Sequence, residues 1–561
     1  MKTPILKTLT QILTLSALSV CFARRLGIRA SVYLLAYFTA LNVLAANKIV
    51  TGGTTVESDQ TYESIATNAA LLVTITDTNN QTRYEGTNIT LSATFGSGNG
   101  RYAAHITNGA SAYLASSTMN STGSTATAVF VRNPGSTLDL RDAKVTSLES
   151  HGLYALEGAS VTLGGNITIE TYSSVGIGLI AEDSSVINTG NLRITSEGEV
   201  VGVVRAFLDL GDSAYLHSIN AYGVAVNSGT VSGVNTVIVA DNNFAIRLTD
   251  ANGSEVYLQD ADITSGGATA IAVVGRNAGK VDKLVLDGGQ ITVTDGDIIA
   301  TGSNSAGLMG GSAEITFKNG VITNAGSGNL INNSGSTTIN FTGENVELTG
   351  NIIGNDTTNT TVHLNDSAIT GTVSGNDASV IDLTVTGNDS AFTGDLTASG
   401  SSNVTVNGSD NATITGNITG SEDSAITIGG DGNIIIGDVT GSGSSTIDVT
   451  ITGTNSGATG DITGSGDSQI IITGSDGVII SGTVTGNENA VIDLAVTGSD
   501  SIFIGDITAS GSSNVTITGS DDATITGNIT GSEDSTITIG GDGPIIIGDV
   551  TGSGSATIDI G

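Results

Sequence analysis

Aliphatic side chains return at a fixed phase along the C-terminal third of this chain. Two places after each of a series of glycines stand Val373, Leu396, Ile418, Val439, Ile462, Val484, Ile507, Ile529 and Val550. Two places before the following glycine stand Phe392, Ile414, Ile435, Ala458, Ile480, Phe503, Ile525 and Ile546, a second column that is apolar throughout. Between the columns the chain alternates, as in Ile447-Asp448-Val449-Thr450-Ile451, the period of a strand with one buried face. The unit recurs about every 22 residues, within the range of repeat architectures. A unit that short cannot bury an apolar face alone and must stack on its neighbours. Three short strands per coil predict an all-β, right-handed parallel β-helix, with coils pairing at ~4.8 Å. Isoleucine and valine then stack inside, while Thr and Asp face water.

The same pattern divides the chain. Gly371–Thr450 and Gly482–Gly561 align without a gap and differ at 17 of 80 positions, so the block that opens at Gly371 begins a second time at Gly482. Residues 350–561 therefore read as regular coil repeats that stop inside a coil, uncapped. Residues 47–349 carry looser coils, with alternating stretches such as Thr137-Leu138-Asp139-Leu140 and Ser160-Val161-Thr162-Leu163. Their diversity leaves room for loops and a binding surface. At ~22 residues and ~4.8 Å per coil the rod would approach roughly 110 Å.

Residues 1–46 read as an extended, two-part signal peptide. Lys2 and Lys7 precede an apolar run from Ile12 to Ala23; Arg24, Arg25 and Arg29 precede a second from Val32 to Ala46. Small residues near Ala45 and Ala46 suit cleavage, and each run is shorter than the ~20 residues that span a bilayer.

Composition sharpens this picture. Of 561 residues 78 are Gly and only three are Pro, which suits an uninterrupted ladder because Pro has no N–H to donate. The net charge is −36, and the first 46 residues hold five basic and no acidic side chains. The remainder thus stands near −41, which argues against nucleic acid as a partner. The single cysteine, Cys21, lies in the leader, so the body can form no internal disulfide.

Candidate chemistry is sparse. Gly211-Asp212-Ser213 and Gly466-Asp467-Ser468 match the triplet around some protease nucleophiles, but a serine also needs a base and an orienting partner. His105, His151, His217 and His363 show no metal spacing and read as solvated or turn residues. Arg132-Asn133-Pro134 lacks the second arginine of a lyase phrase. Asp395, Asp438, Asp461, Asp506 and Asp549 recur after the opening glycines; on adjacent coils such carboxylates repel unless solvated or bridged by calcium. Solvated turn carboxylates are the expectation. No basic or aromatic patch stands out, so no catalytic, cofactor-binding or metal residue is assigned.

The two-part leader and phrases such as Gly152-Leu-Tyr-Ala-Leu-Glu-Gly-Ala-Ser-Val161 resemble the passenger of a bacterial autotransporter, the type V secretion family. The resemblance implies a non-enzymatic β-helical adhesin on a Gram-negative cell surface, serving adhesion, aggregation or biofilm formation. Its implied partners are host or bacterial surface glycans, matrix or further copies of itself. The family's C-terminal barrel of ~10-residue alternating strands has no counterpart in this sequence. A separate outer-membrane β-barrel would be needed for surface display, and without it the chain is expected to stay periplasmic. The alternatives are a β-helical carbohydrate-active enzyme and an inactive product of a split gene.

Overall fold

The computed structural model describes residues 48–561, apart from 65–68, 75–81, 94–100, 124–125, 250–252, 268, 275–279, 302–311, 453–455 and 499. The segment expected to be a signal peptide, with its expected cleavage positions, and Cys21 lie outside the described residues. Within them there is no helix, and 55 strands form one continuous parallel sheet wound into a solenoid. Each coil contributes three faces. In one regular coil they are Ile462–Gly464 (face 1), Gln469–Ser475 (face 2) and Ile479–Ser481 (face 3). About 20 turns at ~4.8 Å each make a rod of about 95 Å. That is shorter than expected because many of the early coils hold more residues than the regular ones do.

Register shows what holds the coils together. On face 1 one inward column runs without a break through Leu71, Ala104, Val129, Leu153, Leu179 and Val201. It continues through Val224, Ile246, Ile271, Ile299, Ile331 and Ile352 to Val373. The nine residues from Val373 to Val550 named above follow in order. Ile418, Val439 and Ile462 are at most 1 % exposed. From Ile331 onward the step along the chain is nearly constant; before it the step is uneven, and longest between Leu71 and Ala104 and between Ile299 and Ile331. Faces 2 and 3 carry parallel columns, such as Val406, Ile428, Val449 and Ile472 on face 2. Each fully buried aliphatic side chain contributes about 1.5–3 kcal/mol, so the three columns are the core.

The second column departs from expectation at two places. Ile434 pairs with Ile414 and Ile436 with Gly416, so both point inward, while Ile435 pairs with the outward Thr415. Ile434 is fully buried and Ile435 is 37 % exposed. Likewise Ile545, not Ile546, pairs with Ile525. Both coils contain three consecutive isoleucines, whose phase hydropathy cannot fix, and both carry a register shift between faces 3 and 1. A slip of one residue exchanges inside for outside.

Hydroxyls line the corner between faces 1 and 2. Ser402, Ser424, Ser445, Ser468, Ser513 and Ser535 are buried. The Ser424 hydroxyl accepts the N–H of Ser421 at 3.2 Å and donates to the carbonyl of Ala398, one coil away, at 3.0 Å. Ser535 repeats this with Ser532 and Ala509. A buried hydroxyl with no partner would destabilise the coil; here Ser402, Ser424, Ser513 and Ser535 donate to a carbonyl one coil away, while Ser445 and Ser468 accept an N–H within their own turn.

Ile434→Ala should therefore cost about 2–5 kcal/mol, whereas Ile435→Thr should change stability by less than about 0.5 kcal/mol. Guanidinium unfolding of the two variants checks the register directly, since the phase expected from the sequence gives the opposite order.

Candidate functional site

The outward row of face 1 changes character along the rod. From Leu72 it runs through His105, Phe130, Tyr154, Ile180, Gly202, Ala225 and Arg247. From Ser374 on it becomes Thr397, Thr419, Thr440, Thr463, Thr485, Thr508, Thr530 and Thr551. The regular coils thus present a hydroxyl strip, and the early coils an aromatic and apolar one.

The early strip is also folded over. Where face 3 turns into face 1, consecutive residues such as Ala128 and Val129 or Val200 and Val201 are both buried, so the chain bends sharply there. Glycine fills this corner in other coils: a Cβ on Gly152 would lie 2.4 Å from the carbonyl of Gly178, and one on Gly223 2.5 Å from that of Ala245. The bend brings the side chains before the corner, Tyr102, His151, Ile177, Glu199, Tyr222 and Phe244, against the outward row.

Two aromatic groups result. In the first, the Tyr102 and Phe130 rings stack with centroids 4.7 Å apart, His105 lies 4.8 Å from Tyr102, and Tyr154 meets Phe130 edge-on at 5.3 Å. Tyr102, Thr127, Phe130, Glu149, His151 and Tyr154 line a cavity of about 310 Å³. Val175 also lines it and is 78 % exposed; Leu148 and Tyr172, close by in the chain, are exposed as well. In the second group Tyr222 and Phe244 stack at 5.8 Å, and the Arg247 guanidinium lies over the Tyr222 ring at 4.7 Å.

Burial and hydrogen bonding set the charges. Burial pushes His105 down to about 4, helped by the Arg132 cation, and also lowers His151. His151 Nδ1 accepts the Ile177 N–H at 3.0 Å, which leaves the ring proton on Nε2. Arg132 makes two hydrogen bonds to Glu157, at 2.9 and 2.7 Å. The Tyr154 hydroxyl donates to Glu182; burial first and then this bond raise its pKa. Glu199, packed over Gly202, is pushed up to about 7 by burial, against the pull of Arg247.

The structure places each residue that the sequence brings forward. His105 packs against the Tyr102 and Phe130 rings, and His151 is part-buried beside the cavity with the Tyr154 ring 6.2 Å away, so neither is freely solvated. His217 meets Asp241 at 2.9 Å and His363 is exposed. Ser213 starts the strand Ser213–Ser218 that also carries His217, too far along it for a hydrogen bond between the two side chains. Ser468 is a fully buried member of the corner serines. The recurrent acids form a chain of their own: Asp395 accepts the N–H of Asn417 at 3.0 Å, Asp438 that of Asp461 at 2.9 Å, and Asp461 that of Thr483 at 2.8 Å. Their carboxylates thus cap backbone N–H groups of the next coil instead of only facing water. Among the described residues no group of three or more His, Cys, Asp or Glu is placed to hold a metal. The aromatic patch overturns the expectation that none stands out.

No family profile matches this sequence, and a search of curated proteins returns no match.

Glu199 gives a pH test. Its folded pKa lies above its unfolded one, so its contribution is fully present below the ordinary carboxyl range and is lost as pH rises through about 7. Glu199→Gln should leave the melting temperature unchanged at pH 4 and raise it at pH 8; equal melting of both proteins at pH 8 would contradict the burial described.

Proposed function

We propose that this chain is an exported, non-enzymatic contact protein of the autotransporter passenger kind. Its N-terminal coils make the contact and its regular coils act as a spacer. The observation that carries this reading is the change in the outward row of face 1, from rings at Phe130 and Tyr154 to threonines from Thr397 onward. An apolar strip with exposed apolar side chains marks an interaction surface, and a uniform hydroxyl strip on stacked coils suits a stalk. Surface glycans, matrix or neighbouring copies are the partners in this reading.

Protease shaving of cells tests it. The chain should become accessible when a barrel is supplied, and attachment of such cells to matrix-coated plates should fall several-fold with Tyr154→Leu but not with Thr463→Ala. Retention in the cytoplasm under both conditions overturns the export reading.

One feature favours a second reading, a β-helical carbohydrate-active enzyme: burial pushes Glu199 up to about 7, and perturbed carboxyls often serve as general acids. Release of reducing ends from polysaccharide, abolished by Glu199→Gln, would decide for it.

A further inference from the structure

The cavity beside Phe130 has a composition that selects its ligand. Its walls are the rings of Tyr102, Phe130, His151 and Tyr154, and its one ionisable acid is Glu149, an exposed carboxylate with no ion-pair or hydrogen-bond partner among the described residues. No Lys or Arg lines it. The Arg132 cation, whose charge acts on Tyr102 and Tyr154, is tied to Glu157 by two hydrogen bonds. His151 is held neutral, because its Nδ1 must stay unprotonated to accept the Ile177 N–H. Glu182 is engaged by the Tyr154 hydroxyl.

Aromatic walls with a single uncompensated carboxylate at the mouth attract a cation and repel an anion. The charge of the whole chain, −36, acts in the same direction at longer range. The exposed Val175 and the ring edges favour a cation that carries alkyl groups, because a bare ammonium would have to give up its water for apolar contacts.

We propose that this cavity binds an alkylammonium group, held by the Tyr102, Phe130 and Tyr154 rings and neutralised by Glu149. The inference deepens the contact-surface reading and rests on it, since it names the group that the N-terminal coils grasp.

The test uses the purified chain and small probes. Choline should quench or shift tyrosine fluorescence in a saturable way, and 3,3-dimethylbutan-1-ol, its uncharged isostere, should bind at least about tenfold more weakly. Glu149→Gln, at an exposed site without partners, and Tyr154→Leu should each weaken choline about tenfold. Wild-type circular dichroism in both variants verifies folding. Equal binding of choline and the alcohol, or choline binding unchanged in both variants, overturns the proposal. To assign the source of the ammonium group, phosphatidylcholine vesicles are tested by co-sedimentation and a trimethyl-lysine peptide on beads by retention. Capture of either, lost when choline is added, supports the proposal. If Tyr154→Leu abolishes cell attachment while choline neither binds nor competes, the contact reading stands and this inference falls.

Discussion

Everything in this molecule depends on in-register stacking of aliphatic side chains from one coil onto the next. The parallel ladder by itself specifies no register; sliding a strand by two residues would preserve its hydrogen bonds. What fixes the register is that Leu153, Leu179, Val201 and Val224 must each fall over the last to keep a narrow interior dry. Buried serines such as Ser424 then lock the corners, because their hydroxyls are satisfied only when the carbonyl of Ala398 lies one coil away.

That constraint separates inside from outside and leaves the outside free. The interior of face 1 is the same kind of column from Leu71 to Val550, so the fold does not distinguish the two parts of the rod. The outward side chains do. The ring group around Phe130 sits on coils whose steps run to 24–26 residues, and their extra residues include the exposed Val175; the Tyr222–Phe244 pair sits on coils of ordinary step. Threonine occupies coils whose step is nearly constant.

Most of the fold was legible in the sequence because a solenoid writes its core as a period. The phase of Ile418, Val439 and Ile462 was readable since each has polar or glycine neighbours; Ile435 was misplaced because it has isoleucine on both sides. The aromatic site was not legible. Tyr102, Phe130 and Tyr154 are unevenly spaced and fall outside the regular period, and only the register and the bend between faces 3 and 1 bring their rings together. The burial of His105 and His151 was hidden for the same reason. One signal was present in the phrase from Gly152 to Val161: a glycine directly before Leu153 marks the corner, and the residue after Leu153 must then point outward.

The direction of the ladder has a mechanical consequence. Backbone hydrogen bonds between coils run along the axis of the rod, so tension applied at its ends pulls those bonds straight apart and peels one coil at a time. In the stretch from Ile331 to Val550 each coil, at about 22 residues, would release about 70 Å of extended chain. Rupture there would proceed in steps of nearly equal length, and the unevenly spaced windings nearer the N-terminus would yield in unequal ones. A tethered filament built this way lets out slack under load while the rest of its length stays wound.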